Sequence, residues 1–206
     1  MSYTLIIVIV TSLVSFAAFN NRDLRNKLIF YPFGMHDRPN EYYRFLTSGF
    51  IHADWNHLLF NMITLYFFGS VVETICAEIG MPSMYLLLYL SGIIFASLPT
   101  YVKQKNQSYY TSLGASGGVA AILFATVYFE PWNKIYIIFL PIGIPSIIFA
   151  VLYLFYSAYM SKKGNDNIGH DAHFWGSVYG FVFAYLLDLK FSHGMTFINQ
   201  LLHPHF

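Results

Sequence analysis

Six apolar stretches follow one another along this chain, at residues 3–19, 57–76, 84–102, 113–129, 145–160 and 172–189. Each is near the length at which a helix crosses a bilayer, since a hydrocarbon core about 30 Å thick takes roughly 20 residues at 1.5 Å per residue. So many runs cannot retire into one small aqueous core: 56% of the 206 residues are hydrophobic and only 10% are charged, against roughly 25% in soluble domains. The expected fold is an all-α membrane protein, a polytopic bundle of six transmembrane helices forming one domain over residues 1–206.

Turn or charge signals separate the runs: Met81-Pro82, residues 103–107, Glu130-Pro131 and the polar stretch 161–171. The first run has no charge, no basic leader and no clear small-residue cleavage site, so it reads as a retained span. Residues 20–51 mix Arg22, Asp23, Arg25, Lys27, Asp37, Arg38, Glu41 and Arg44 with two prolines and many aromatics, and read as a long first loop touching the interface. Residues 136–144 are also apolar and precede Pro145, so the fifth span either starts there or begins earlier and kinks. Tyr42, Tyr43, Tyr109, Tyr110 and Trp132 fall near helix ends, where such rings anchor at headgroups. No internal repeat points to a transporter of duplicated halves. A net charge of +1 supplies no basic patch for nucleic acid. The single cysteine, Cys76, excludes an intramolecular disulfide and reads as an apolar filler.

Polar groups inside spans are costly, so each is a functional candidate. His52 precedes the second span, and His57 and Asn61, four apart, share one face of it. Gly114-Ala115-Ser116-Gly117-Gly118 opens the fourth span; His170, Asp171 and His173 open the sixth, ahead of Gly176 and Gly180. Alternate spans cross in the same direction, so these groups share one depth. Taken singly, Ser116 or Gly176-x-x-x-Gly180 is more often a packing feature, and a lone His in a first turn more often an interfacial group. Their coincidence changes the balance. Ser116 can attack a carbonyl if a neutral His takes its proton, and Asn61, His57 and backbone N–H groups around Ser116 are donors for an oxyanion. Gly114-x-Ser116-x-Gly118 also matches the nucleophile elbow of soluble hydrolases, but here it opens an apolar helix and follows no strand.

Three segments together resemble the rhomboid family: His52-Ala-Asp-Trp-Asn-His57-Leu-Leu-Phe-Asn61, Gly114-Ala115-Ser116-Gly117 and Ala172-His173-Phe-Trp-Gly176. Tyr43-Arg44, Gly69 and Glu73 are similar to family positions as well, and the motifs span residues 41–187. The resemblance implies an intramembrane serine endopeptidase with Ser116 as nucleophile, His173 as base, and His57 and Asn61 as oxyanion contributors. His52, Arg44, Glu73, Gly114, Gly117, Gly176 and Gly180 would support them. Its substrates would be transmembrane helices of other proteins; no cofactor or metal is called for, and the oligomeric state is left open. One departure is Ala120, where many members place a Tyr against the catalytic ring. His170 is a rival base outside the matched motif. Asp171 is expected to be a solvated loop-end carboxylate, Arg44 a headgroup anchor, and Glu73 a protein-facing group holding loop backbone.

Two other classes compete. A non-catalytic rhomboid-like binder of transmembrane clients would share the fold, though both dyad residues are present. A metal enzyme or transporter would use His52, His57, His170, His173 and Asp171, yet no H-E-x-x-H helix occurs and His193, His203 and His205 are scattered. The resemblance implies a cell-membrane protein whose site opens to the extracytoplasmic side. The basic residues oppose that orientation, since all but Lys134 and Lys190 lie on the site's side.

Overall fold

Helices account for most of the chain in a computed structural model that describes residues 2–137, 140–163 and 169–204. The polar break 161–171 is therefore seen only at its ends, and His205 lies outside the described residues. In chain order the elements are α1 (Tyr3–Asn20), α2 (Arg22–Leu28), α3 (Pro32–Met35), α4 (Arg44–Thr47), α5 (Trp55–Glu78), α6 (Ser83–Gln104), α7 (Ser116–Phe129), strands β1 (Lys134–Ile137) and β2 (Leu140–Pro145), α8 (Ser146–Lys163), α9 (His170–Asp188) and α10 (Thr196–Leu202). Among the described residues α1, α5 and α6 are long and apolar enough to cross a membrane, and α7 is a shorter apolar helix.

The helix starts follow local chemistry. Ser2 caps α1, its hydroxyl accepting from the Leu5 N–H, and the Asp54 carboxylate accepts from the His57 N–H at the start of α5. By contrast, α7 has no side-chain cap, and its cap residue is Ala115. It begins at Ser116, three residues later than the expected start at 113, because tertiary hydrogen bonds claim the preceding backbone: Gly114 N–H donates to Ser48 O at 2.9 Å and Ala115 N–H to His52 Nε2 at 3.3 Å.

Helix α7 is the centre of the bundle. Every residue from Gly117 to Phe129 is buried, as expected for a helix apolar on all sides. Its 14 residues make a rod about 21 Å long, shorter than the hydrocarbon core. Gly117 faces Ala96 of α6, and eight further residues carry α6 on to Gln104, about 12 Å at the helical rise. The start of α7 is thus recessed below the end of its neighbour.

Glycines set these contacts. A Cβ on Gly176 would collide with the Gly117 carbonyl oxygen, one on Gly180 with that of Ala121, and one on Gly92 would come within 2.9 Å of the Ala121 Cβ. Because 176 meets 117 and 180 meets 121, α7 and α9 run parallel with backbones nearly touching.

Two expectations need correction. Strands β1 and β2 pair antiparallel, with Lys134 opposite Pro145 and Ile135 opposite Ile144, so the fold is not purely helical and the fifth helix neither starts early nor kinks at Pro145. The Ile-rich run with Pro141, Gly143 and Pro145 disfavours a helix and suits a short strand pair. The first loop is also a chain of short helices. Arg44 fastens it, donating to Glu41 (2.5 Å), Asn26 O (2.7 Å) and Ile29 O (3.0 Å), while Phe30 and Ser112 form an isolated antiparallel bridge. Arg44 is therefore no headgroup anchor. Its guanidinium holds the Glu41 carboxyl below the usual carboxylate range.

Candidate active site

Four elements converge around the recessed start of α7. Ser116 is the first residue of that helix and is half-buried. His173 lies on α9 one turn before Gly176, on the face that continues to Gly180. Since Gly176 sits on Gly117, the next residue after Ser116, the Ser116 and His173 positions occupy facing sides of the α7–α9 contact.

The imidazole of His173 has an aromatic neighbour from a third helix. Tyr153 of α8 stacks on it with ring planes 22° apart and centroids 6.1 Å apart. Tyr153 is itself stacked on Phe149 and lies against Phe124 of α7. Position 120 on α7 is a buried Ala. Nothing in the sequence marks Tyr153, one of several aromatics in an apolar helix, and only the packing of α8 on α9 reveals it. His170 meets the same His173 ring edge-on at 5.9 Å and packs against Tyr156.

On the opposite wall the His57 ring lies against Gly114. A Cβ there would fall 2.6 Å from His57 Cε1 and 2.7 Å from Nε2, and the positive φ of +124° at Gly114 independently disfavours any side chain. Asn61 is buried and donates one amide N–H to the His57 carbonyl at 3.0 Å; an amide carries a second N–H. Of the backbone donors near Ser116, those of Gly114 and Ala115 are already engaged by Ser48 and His52. The N–H groups of the first turn, at Ser116 and just beyond, have no partner within the helix, as at any helix N-terminus.

His52 holds this wall in place. Its Nε2 accepts from Ala115 N–H, so Nδ1 carries the proton and donates to Ser15 Oγ at 2.9 Å, and Ser15 in turn donates to Phe50 O at 3.1 Å. Burial, with the nearby His57 adding to it, pushes the His52 pKa down to about 3. The relay works only with a neutral ring. Its partner Ser15 lies on α1, 37 residues earlier in the chain, where the sequence carries no signal for the pairing.

The remaining candidates fall outside this cluster. Asp171 pairs with Lys103 at 3.3 Å and takes the Ser161 hydroxyl, tying α9 to α6 and α8. Glu73 faces protein, but what it holds is the first turn of α1 and no loop: it accepts from Ser2 Oγ, Tyr3 N–H and Thr4 N–H. A buried carboxylate, Asp188, accepts from Tyr128, Ser192 and Thr196 at the far end of α9 and gathers the turn into α10. Among the described residues no group of three or more His, Cys, Asp and Glu could hold a metal ion.

Known proteins carry similar sequences. The chain is 30% identical over 147 residues to RHOMBOID-like protein 12, mitochondrial, of Arabidopsis thaliana, a match covering 64% of this chain and 42% of that one. It is 29% identical over 153 residues to the putative rhomboid protease YdcA of Bacillus subtilis, covering 73% of this chain and 69% of the relative. With the rhomboid protease GluP of the same organism the identity is 30% over 149 residues, 72% of this chain and 27% of the relative. The chain thus spans less than half the length of two of these three. With its apolar helices it is an integral membrane protein, and since the family model for the rhomboid domain matches residues 39–189, the chain belongs to the rhomboid family.

Proposed function

We propose that the protein is an intramembrane serine endopeptidase that cleaves transmembrane helices of other membrane proteins with a Ser116–His173 dyad. Residues 1–206 act as one membrane domain in which α1, α5, α6, α7, α8 and α9 are the six spans, the motifs lying in 41–187. The observation that supports this reading is the close contact of Gly176 with Gly117, the one a turn beyond His173 and the other next to Ser116, at a recessed helix start. The protease names of YdcA and GluP agree with it.

In the reaction, Ser116 Oγ attacks the scissile carbonyl carbon while His173 takes the hydroxyl proton. Negative charge moves to the carbonyl oxygen, where the second amide N–H of Asn61, a ring N–H of His57 and the N–H groups of the first turn of α7 stabilise it. Collapse breaks the C–N bond, and the His173 imidazolium gives its proton to the leaving amine. Water then attacks the acyl-serine with His173 again as base, releasing the second product and restoring Ser116. The recess admits that water while the surrounding helices face lipid.

The test is labelling of purified protein by a fluorophosphonate probe, together with cleavage of a transmembrane substrate. Wild type should label and cleave, while Ser116→Ala and His173→Ala should do neither with helicity intact. Turnover retained in Ser116→Ala would sink the mechanism. A wild-type protein that holds substrate yet neither labels nor cleaves would be a non-catalytic client binder.

A further inference from the structure

An open apolar groove of about 530 Å³ lies between α1 and the first-loop helices, away from Ser116, lined by Val10, Leu13, Val14 and Ala17 on one side and by Leu24, Leu28, Thr47 and Phe50 on the other. We propose that it holds one acyl chain of an anionic phospholipid, whose phosphate is met by Arg22, Arg25 and Lys27 of α2.

The charge pattern selects this occupant. Helix α2 turns Leu24 and Leu28, one helical turn apart, into the groove, while Arg22, Arg25 and Lys27 are exposed around them. Among the described residues none of these three cations is in an ion pair, in contrast to Arg44 and Lys103 on the same side of the bundle. Asp23 is the one carboxylate on α2 and is exposed there, so three cations against one anion leave a net positive rim on an apolar slot, which matches a lipid phosphate.

The geometry agrees in depth. From Ala17 to Val10 the groove follows α1 for seven residues, about 10 Å at the helical rise. It starts beside the charged helix, at headgroup level, and runs toward the bilayer centre. Leu13 is 63% exposed and Val10 42%, so the slot opens sideways to the bilayer and a chain can enter without crossing water. The volume lies within the roughly 300–1,000 Å³ of small-molecule sites.

The groove also touches the frame of the site. Phe50 lines it, and the Phe50 carbonyl receives the Ser15 hydroxyl that holds His52. A lipid seated there would stiffen the first loop against α1.

The test uses the full chain in phosphatidylcholine vesicles doped with a trace of spin-labelled phosphatidylglycerol or, separately, spin-labelled phosphatidylcholine. Electron spin resonance reads the motionally restricted fraction. Wild type should favour the anionic probe by up to about 100-fold, three cations each contributing about fivefold. Arg22→Gln/Arg25→Gln/Lys27→Gln should reduce that to the level of the neutral probe, while Lys162→Gln/Lys163→Gln should leave it. Ala17→Trp, which fills the slot, should lower restriction of both probes. Equal restriction of the two probes by wild type, or an anionic preference surviving either the triple change or the filled groove, would overturn the proposal. Circular dichroism of each variant guards against misfolding, and the outcome does not depend on proteolytic activity.

Discussion

The phenol ring of Tyr153 lies nearly parallel to the imidazole of His173, 22° between their planes, although the two residues belong to different helices. With Ala120 on α7, the side chain that restrains His173 comes from α8 instead. A ring held on one face keeps its nitrogen aimed, and misplacement by about 1 Å can cost on the order of 100-fold in rate. Tyr153→Ala should therefore lower kcat about 10- to 100-fold with little change in KM and should shift the acidic limb of the pH–rate profile. Tyr153→Phe keeps the stack and should retain most activity. A Tyr153→Ala enzyme with normal kcat and pH profile would show that the stack is packing alone.

Asn61→Ala removes one oxyanion donor while others remain, so turnover should fall about 10- to 1000-fold with substrate binding less affected. Because Asn61 also donates to the His57 carbonyl, Asn61→Asp, which keeps an acceptor and loses the donor, should be no better. Weakened binding with a normal rate for bound substrate would make Asn61 a docking residue.

His52 predicts an acid sensitivity. Its folded pKa is near 3, whereas an unfolded His titrates near 6.5. The folded state favours the neutral ring, so its contribution to stability is fully present above about pH 6.5 and is lost as pH falls toward 3, by about 1.4 kcal/mol per pH unit. Thermal midpoints in detergent should fall between pH 7 and pH 5, and the slope should flatten in His52→Gln. Equal slopes in the two proteins would remove His52 as the cause.

Much of this arrangement was legible in the residue order. Apolar runs locate helices because lipid demands them, and the three short motifs mark Ser116, His57, Asn61 and His173 because polar groups in such runs stand out. What stayed hidden depends on distant partners. Apolarity alone does not distinguish the β1–β2 strand pair from a helix. The late start of α7 is set by Ser48 and His52, more than 60 residues earlier in the chain. Tyr153 is one ring among many until α8 packs on α9. The grip of Glu73 on the first turn of α1 likewise joins residues some 70 apart.

A substrate helix should need local instability near the cut, because an intact helix ties its carbonyls into backbone hydrogen bonds. Inserting Gly near the scissile bond of a Leu-rich transmembrane segment should speed cleavage, and a small residue should be preferred just before the bond. Equal rates with and without the Gly would argue against an unwinding step.

Orientation sets two lines of reasoning against each other. The resemblance to rhomboids implies a mouth above Ser116 and His173 on the extracytoplasmic side. Arg22, Arg25, Lys27, Arg38, Arg44, Lys103, Lys105, Lys162 and Lys163 all lie on that side, and only Lys134 and Lys190 lie opposite, which by the positive-inside rule would turn the mouth to the cytoplasm. The structure weakens that count. Arg44 is paired with Glu41 and Lys103 with Asp171, so two of the nine are occupied by protein carboxylates, although acidic residues offset the rule only slightly. The expected outcome is an outward mouth. Cys76 is the only thiol and is buried, so Cys76→Ala gives a clean background for single reporters at Asn106, exposed on the site's side, and at Glu78, exposed at the far end of α5. A third reporter at Asn165 extends the test to a position outside the described residues. On intact cells an impermeant maleimide should label Asn106→Cys and Asn165→Cys at once and Glu78→Cys only after permeabilisation. The reverse pattern would show that the distribution of cations, and not the family arrangement, sets how this chain sits in its membrane.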